Sequence, residues 1–323
     1  MPEEPKLIDK SIWVQDGDEV ITMQEAHQRY GEGKFPESLI GNCFTFAEYG
    51  RLPLASPPGW IEEGILPLKS KLLLFGEPKV GKSFMAMQMG YDIAENHKWL
   101  RFNTGEQDAR VLYIQAEISE IELQSRIGFL PSEFAYAETI HSARLLGEQV
   151  GILTKRIEAI KPDVLILDPL YMFISGDLTE IADVTACNNV IDQIITEYDC
   201  SVIVVHHSRK PREESTQGIM EALGSIAITA FYDSILWFEK LNNEASLLHF
   251  MLRNAKSPEA LFIVQNDKGL WQDIEISFEG SVTAQTLAES TNYSLDLIKA
   301  WLDRQVQIGK VQRNTWGSYE KRV

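Results

Sequence analysis

One stretch of this sequence has the residue types and spacing to hold phosphate: Gly76-Glu77-Pro78-Lys79-Val80-Gly81-Lys82-Ser83, followed by Phe84. It is an unbroken G-x-x-x-x-G-K-[ST] pattern. Its glycines let backbone N–H groups close around phosphate oxygens, while a helix that starts on the loop points its positive end at them. In that arrangement Lys82 sits on the terminal phosphates of a nucleoside triphosphate and the Ser83 hydroxyl ligates Mg²⁺. Residues 76–84 are therefore expected to bind ATP, with Mg²⁺ as its companion. The pattern carries meaning only between a strand and a helix. The apolar run Lys71–Phe75 and the helix-period segment Lys82–Ala94 supply both.

Four further residues could complete the chemistry. The run Pro162-Asp-Val-Leu-Ile-Leu-Asp168 is an apolar strand ending in a carboxylate, as a Walker B strand does, and Asp168 would then join Ser83 around Mg²⁺. Glu117 follows the strand Val111–Ala116, at the edge of an α/β sheet where ligands bind. There it would orient or deprotonate the attacking water, or else serve only the dipole of the helix it precedes. His206 and His207 follow the run Ser201–Val205. At least one imidazole should face the same edge, either bonding the terminal phosphate and relaying its loss, or capping without nucleotide contact. No other His, Cys or carboxylate stands near them at ligand spacing, so zinc is not expected.

Around these motifs, short apolar runs alternate with helix-period segments from Leu66 to about Gln265, the layout of an α/β domain with a mainly parallel sheet. Strands are expected at Lys71–Phe75, Arg110–Gln115, Asp163–Leu167 and Ser201–Val205, each apolar enough to be covered on both faces. Helices are expected at Lys82–Ala94, Ile118–Ile127, Gln149–Ala159 and Val184–Glu197. Three later strands, near Ser234–Phe238, Leu247–Leu252 and Leu261–Gln265, would extend the sheet with antiparallel pairing. The consecutive prolines in Leu54–Trp60 mark a boundary. Three parts follow: an acidic N-terminal region (1–55), the α/β domain (56–278) and a C-terminal module (279–323). In the first, short strands near Ser11–Val14 and Glu19–Met23 and a helical stretch around Gln24–Tyr30 are expected. In the last, helices at Thr283–Glu289 and Ser294–Gln305 and a strand pair near Val311–Arg322 make a helix-turn-helix with a wing, whose apolar residues can supply a small core of their own.

Composition sets the outer bounds. With 323 residues, 44% of them hydrophobic and 24% charged, the chain can bury a sizeable core, which excludes disorder throughout. No apolar run approaches a membrane span, and the opening residues lack the layout of an export signal, so a cytoplasmic protein with no membrane partner is expected. Cys43, Cys187 and Cys200 are odd in number and far apart, which suits reduced thiols rather than a disulfide framework. The net charge of −17 argues against passive coating of nucleic acid, although residues 281–323 carry +2.

Taken in order, these motifs resemble one family. Pro58-Gly-Trp-Ile before the loop, Tyr113-Ile-Gln-Ala-Glu117, Leu165-Ile-Leu-Asp168-Pro-Leu170, Val204-Val-His206-His207-Ser-Arg209-Lys210 and Gly224-Ser225-Ile-Ala are similar to those of RepA-type hexameric replicative helicases, which are RecA-like ATPases. The resemblance covers about residues 54–265. It implies a RecA-like P-loop NTPase core, with the C-terminal winged-helix-like domain beside it. It also implies a homo-hexamer, with ATP at each subunit interface and single-stranded DNA in the central channel. Carried over, Lys82 and Ser83 take the phosphate and Mg²⁺ positions, Glu117 the catalytic carboxylate, Asp168 the Walker B position, and His206 or His207 the sensor. One position departs: Leu223 stands where those helicases place an arginine finger before the Gly-Ser pair. Arg253 and Lys256, after a late strand, look like the paired basic residues that RecA-like proteins present across the interface, the alternative being a solvated turn.

Within that resemblance, Arg209, Lys210 and Arg212 lie in the loop where such rings contact DNA phosphates, although Glu213 and Glu214 balance their charge. In the C-terminal module, Lys299, Arg304 and Arg313 are available to duplex DNA, with Lys321 and Arg322 on the wing side. A protein partner would fit that module equally. The expected function is an ATP-dependent, DNA-linked motor, a helicase of a plasmid, phage or mobile element. Two alternatives remain at this point: a non-unwinding ATPase such as a helicase loader or recombination mediator, and an ATP-gated DNA-binding regulator.

Overall fold

The computed structural model describes residues 13–16, 19–22, 28–29, 59–62, 64–105, 108–140, 150–173, 181–207, 230–315 and 317–322. Contacts divide the chain into two compact units, Met1–Ser56 and Pro57–Val323. In the first, β1 (Trp13–Asp16) and β2 (Glu19–Thr22) form an antiparallel pair, and Gln28 and Arg29 are helical.

The second unit is built on a nine-stranded sheet. After a small antiparallel pair, β3 (Gly59–Ile61) and β4 (Leu66–Pro67), come β5 (Lys71–Gly76), α1 (Lys82–Ala94), β6 (Val111–Gln115), α2 (Glu120–Ile127) and β7 (Ala135–Thr139). Next are α3 (Val150–Ile160), β8 (Val164–Asp168), α4 (Ile181–Tyr198) and β9 (Ser201–His207). The sheet closes with β10 (Ser234–Lys240), β11 (Ala245–Leu252), β12 (Leu261–Gln265) and β13 (Trp271–Asp273). The spatial order is β13-β12-β11-β10-β5-β9-β8-β6-β7. From β10 to β7 every pairing is parallel, and from β10 to β13 every pairing is antiparallel.

The two-residue period of each strand explains why the runs read as continuously apolar. Leu72, Leu74, Tyr113, Ile166, Ile203 and Val205 face one side and pack under Met85, Met89 and Ile93 of α1. Leu73, Phe75, Leu112, Leu165, Val202 and Val204 face the other, against Ile157 of α3 and Ile191 and Ile194 of α4. Helices cover both faces, so both residue sets must be apolar. At Gly90 a side chain would meet Ile166 at 2.9 Å and Val111 at 3.1 Å, and this bare point lets α1 lie close on the sheet.

One expectation needs correction, and one strand was not expected. β10 pairs with β5 in parallel, whereas all three late strands were expected to pair antiparallel; reversal begins only at the β10–β11 turn. β7 had no apolar run to mark it, because it is an edge strand whose residues are half-buried or exposed.

Beyond the sheet lie β14 (Ser281–Val282), α5 (Ala284–Thr291), α6 (Leu295–Gln307), β15 (Val311–Arg313) and β16 (Tyr319–Lys321), the last two and β14 forming a three-stranded antiparallel sheet in the order β14-β16-β15. Thr283 and Ser294 cap the two helices through side-chain oxygens that accept the N–H groups of Thr286 and Leu297. The apolar core here is shared rather than private. Leu287, Ile298, Trp301 and Leu302 join Ala245, Leu247, Phe262 and Val264 of the large sheet, with Ile274, Ile276 and Phe278 between them.

Candidate functional site

The parallel strands bring the chemistry-bearing residues to one edge. Register sets Gly76 opposite His207, Phe75 opposite His206 and Gln115 opposite Asp168. The loop 76–83, Asp168, His207 and Glu117 therefore meet at the carboxyl ends of β5, β8, β9 and β6, where ligands of open α/β sheets bind.

Within the loop, Gly81 has φ 91°, a left-handed conformation that suits glycine, and its carbonyl accepts the N–H of Met85 at 3.0 Å, opening α1. Lys82 is 2% exposed. Its ammonium donates to the carbonyls of Gly76 at 2.9 Å and Glu77 at 2.7 Å. Burial lowers its pKa to about 8, against the upward pull of Asp168, Glu117 and Glu77.

Asp168 is fully buried, and one carboxylate oxygen accepts the Tyr113 hydroxyl at 2.5 Å. Burial raises its pKa, opposed by the hydroxyls of Tyr113 and Ser83 and by the Lys82 charge. Its Oδ1 is buried with no hydrogen bond of its own. A buried carboxylate oxygen left unmatched beside a serine hydroxyl fits a hard, oxygen-seeking cation such as Mg²⁺. Among the described residues no cluster of three or more His, Cys, Asp or Glu side chains could hold a metal ion, so the remaining donors would be phosphate oxygens and water.

Glu117 is presented by Gln115, whose side-chain oxygen accepts the N–H groups of Glu117 and Ile118 and folds the turn between β6 and α2. Its carboxylate lies 3.6 Å from His207 Nε2. Burial and the Lys82 charge lower the His207 pKa, with Glu117 and Asp168 pulling it up, so near neutrality the imidazole is uncharged. Tyr171 completes this corner, with its ring 5.9 Å from that of His207. Its pKa is pushed up to about 12 by burial and by the charge of Glu117. Of the two histidines, His206 is buried within the sheet edge and His207 is the one beside Glu117.

Tyr113, Gln115 and Tyr171 were not singled out from the sequence. Tyr113 and Gln115 sit in a strand at alternate positions, so only the register with β8 reveals that both serve the edge. Tyr171 follows Asp168 by three residues in a single 3-10 turn, Leu170–Met172, a spacing that offers no pattern.

Other expected residues lie elsewhere. β11 runs antiparallel, so Arg253 and Lys256, after its end, are on the edge opposite the loop of their own chain, and both are exposed. Arg253 donates to the Ala230 carbonyl and lies 3.9 Å from Asp233. Arg209, Lys210, Arg212, Leu223 and Cys43 fall outside the described residues. Cys187 and Cys200 are buried, and burial pushes both thiols up to about 12, far from a nucleophile's range.

In the C-terminal module, Lys299 lies 3.9 Å from Asp296, Arg304 donates to Gln307 at 2.9 Å, and Arg313 covers the Tyr319 ring. The N-terminus of α6 is engaged by the β10–β11 turn: Ser294 bonds Glu244, and Asn242 donates to the Asp296 carbonyl at 3.2 Å. Between that helix end and the loop residues Lys79 and Val80 lies a polar cavity of about 470 Å³.

This sheet, the loop after its central strand and the carboxylate-bearing neighbours define a RecA-like P-loop NTPase fold with a mostly parallel sheet. A family model, the AAA domain, AAA_25, matches residues 50–213, and the chain belongs to that family. Among curated relatives, the DNA repair protein RadA of Streptococcus pyogenes serotype M3 is 26% identical over 181 residues, covering 54% of this chain and 34% of its own. RadA of Listeria monocytogenes serovar 1/2a is 21% identical over 180 residues, with the same shares. The chain thus spans about a third of the length of the curated relatives it matches. Among solved structures, one titled as a DnaB-like replicative helicase and its interactions with primase aligns with a TM-score of 0.54 at 12% identity, over 78% of this chain and 72% of that one. A second, titled as an ATPase domain, aligns with a TM-score of 0.51 at 11% identity, over 64% of this chain and 85% of that one. Among the described residues no helix is long and apolar enough to cross a membrane.

Proposed function

We propose that this chain is an ATP-hydrolysing, DNA-linked motor of the RepA-like ring type. The observation that carries the reading is the meeting of Lys82, Ser83, Asp168, Glu117 and His207 at one sheet edge, on four separate strand ends. The phosphate tail would be wrapped by the N–H groups of residues 76–83, drawing the Lys82 ammonium from the Gly76 and Glu77 carbonyls onto phosphate oxygens. Ser83 and Asp168 would hold Mg²⁺, which supplies charge neutralisation at the phosphates being separated. Glu117, held by Gln115, would take the proton of the attacking water; neutral His207 beside it would sense the terminal phosphate and pass its loss to the residues that follow β9.

The link to DNA rests on the fold shared with a DnaB-like replicative helicase and on likeness to RadA, named a DNA repair protein. A head-to-tail ring suits the opposed placement of Arg253 and Lys256, which can reach only the nucleotide of a neighbouring chain. ATP turnover that rises with single-stranded DNA, together with displacement of a strand from forked DNA, tests the reading. Turnover indifferent to DNA would favour an ATP-gated regulator, and DNA-stimulated turnover without displacement a loader or recombination mediator.

For the C-terminal module, one observation favours a winged helix that contacts protein over one that reads duplex DNA. A recognition helix meets base edges with its N-terminal residues, and in α6 that end is taken by Glu244 and Asn242 and carries Asp296.

A further inference from the structure

Both glycines of the loop are walled by aromatic residues from outside its own strand. A side chain at Gly76 would meet Phe238 Cβ of β10 at 3.1 Å, and one at Gly81 would meet the Trp271 ring of β13 at 2.6 Å. The two rings lie 5.2 Å apart. The indole N–H of Trp271 donates to the Gly81 carbonyl at 3.2 Å, the same oxygen that receives the first helical bond of α1. Trp271 is in turn gripped by Gln88, whose side-chain amide accepts its backbone N–H at 2.7 Å and donates to its carbonyl at 2.9 Å. Gln88 and Trp271 are both buried, at 8% and 5% exposure. A glutamine spent on a two-point bond to one tryptophan backbone, across 183 residues of chain, fixes that indole against the phosphate loop with little freedom.

We propose that Trp271, clamped by Gln88, is a positioning residue for the triphosphate. Its ring and N–H fix the peptide plane of Gly81 and hence the N–H groups at the start of α1 that would face phosphate. The same residue opens the segment whose Ile274, Ile276 and Phe278 pack into the cluster of α5 and α6, so the grip on nucleotide is mechanically joined to the C-terminal helices. The inference rests on the nucleotide reading of residues 76–83 given above.

The test compares the unaltered chain with W271F, which keeps an aromatic ring and removes the donor, by steady-state ATP turnover with Mg²⁺ and by calorimetric titration with Mg²⁺–ATP. Loss of one neutral hydrogen bond and part of the ring wall should raise KM and Kd about three- to tenfold, with kcat within about twofold and a stoichiometry near one site per chain. A purely structural tryptophan would lower the folded fraction, and with it kcat and stoichiometry, while KM stayed put. That outcome, or parent KM and kcat in W271F, overturns the inference. Should W271F not fold, Q88M carries the same expectation, because it leaves the indole in place and removes both backbone bonds. No affinity of the unaltered chain for Mg²⁺–ATP would sink the nucleotide reading and this inference together, whereas normal binding with unchanged KM in the variants would sink this inference alone.

Discussion

Asp92 offers a perturbation whose sign and size can be worked out from its surroundings. It lies on α1 one turn beyond Gln88, is 7% exposed, and one carboxylate oxygen is buried with no hydrogen bond. Burial raises its pKa from 3.8 to about 7, with the Gln88 amide pulling the other way. An acid whose folded pKa lies above its unfolded one is destabilising where the unfolded chain has ionised and the folded chain resists doing so. The penalty is absent below about pH 4, grows through the window from about pH 4 to 7, and levels off above it. A shift of about three units at about 1.4 kcal/mol each gives a plateau of about 4 kcal/mol, of which roughly 2.5 kcal/mol develops between pH 5 and pH 8. Asp92→Asn cannot ionise and escapes the penalty. Thermal unfolding of D92N and the parent, followed at both pH values, should show the variant gaining stability on the parent as pH rises, by about 3–5 °C in relative Tm for a chain of this size. An equal Tm difference at pH 5 and pH 8 would refute the assignment of a buried, proton-holding carboxyl.

The other expectations concern the loop and its neighbours. Lys82→Ala should abolish ATP turnover and leave the Tm near that of the parent, because its bonds go only to loop carbonyls; full turnover would remove the site assignment. Glu117→Gln should bind Mg²⁺–ATP with parent affinity and hydrolyse it about 100-fold or more slowly, measured by phosphate release, and an unchanged rate would mean that another base acts. Tyr113→Phe strips Asp168 of its buried hydroxyl donor, so a loss of about 1–3 kcal/mol is expected in denaturant unfolding; a variant as stable as the parent would show the bond to be idle. Arg253→Ala should slow turnover roughly a thousandfold, yet mixing it with Lys82→Ala chains should restore part of the activity, since each intact loop could then meet an intact Arg253. Failure to complement would place the trans cation elsewhere.

Much of this molecule could be read along the chain. The motif Gly76–Ser83 carries much of its own backbone, because glycine readily takes φ 91° at residue 81, where α1 opens. The runs at β5, β6, β8 and β9 declared themselves by being apolar at nearly every position, a consequence of helices on both faces. Glu117, Asp168 and His207 were legible because each follows such a run. What the sequence withheld depends on which strands lie side by side. The parallel step from β5 to β10, the bond of Tyr113 to Asp168, the retreat of His206 into the sheet and the seat of Trp271 against Gly81 all join residues whose separation in the chain carries no period. Periodicity records how one segment meets a generic apolar layer; pairing order and the placement of single polar atoms emerge only when distant segments compete for the same space, and packing alone resolves that competition.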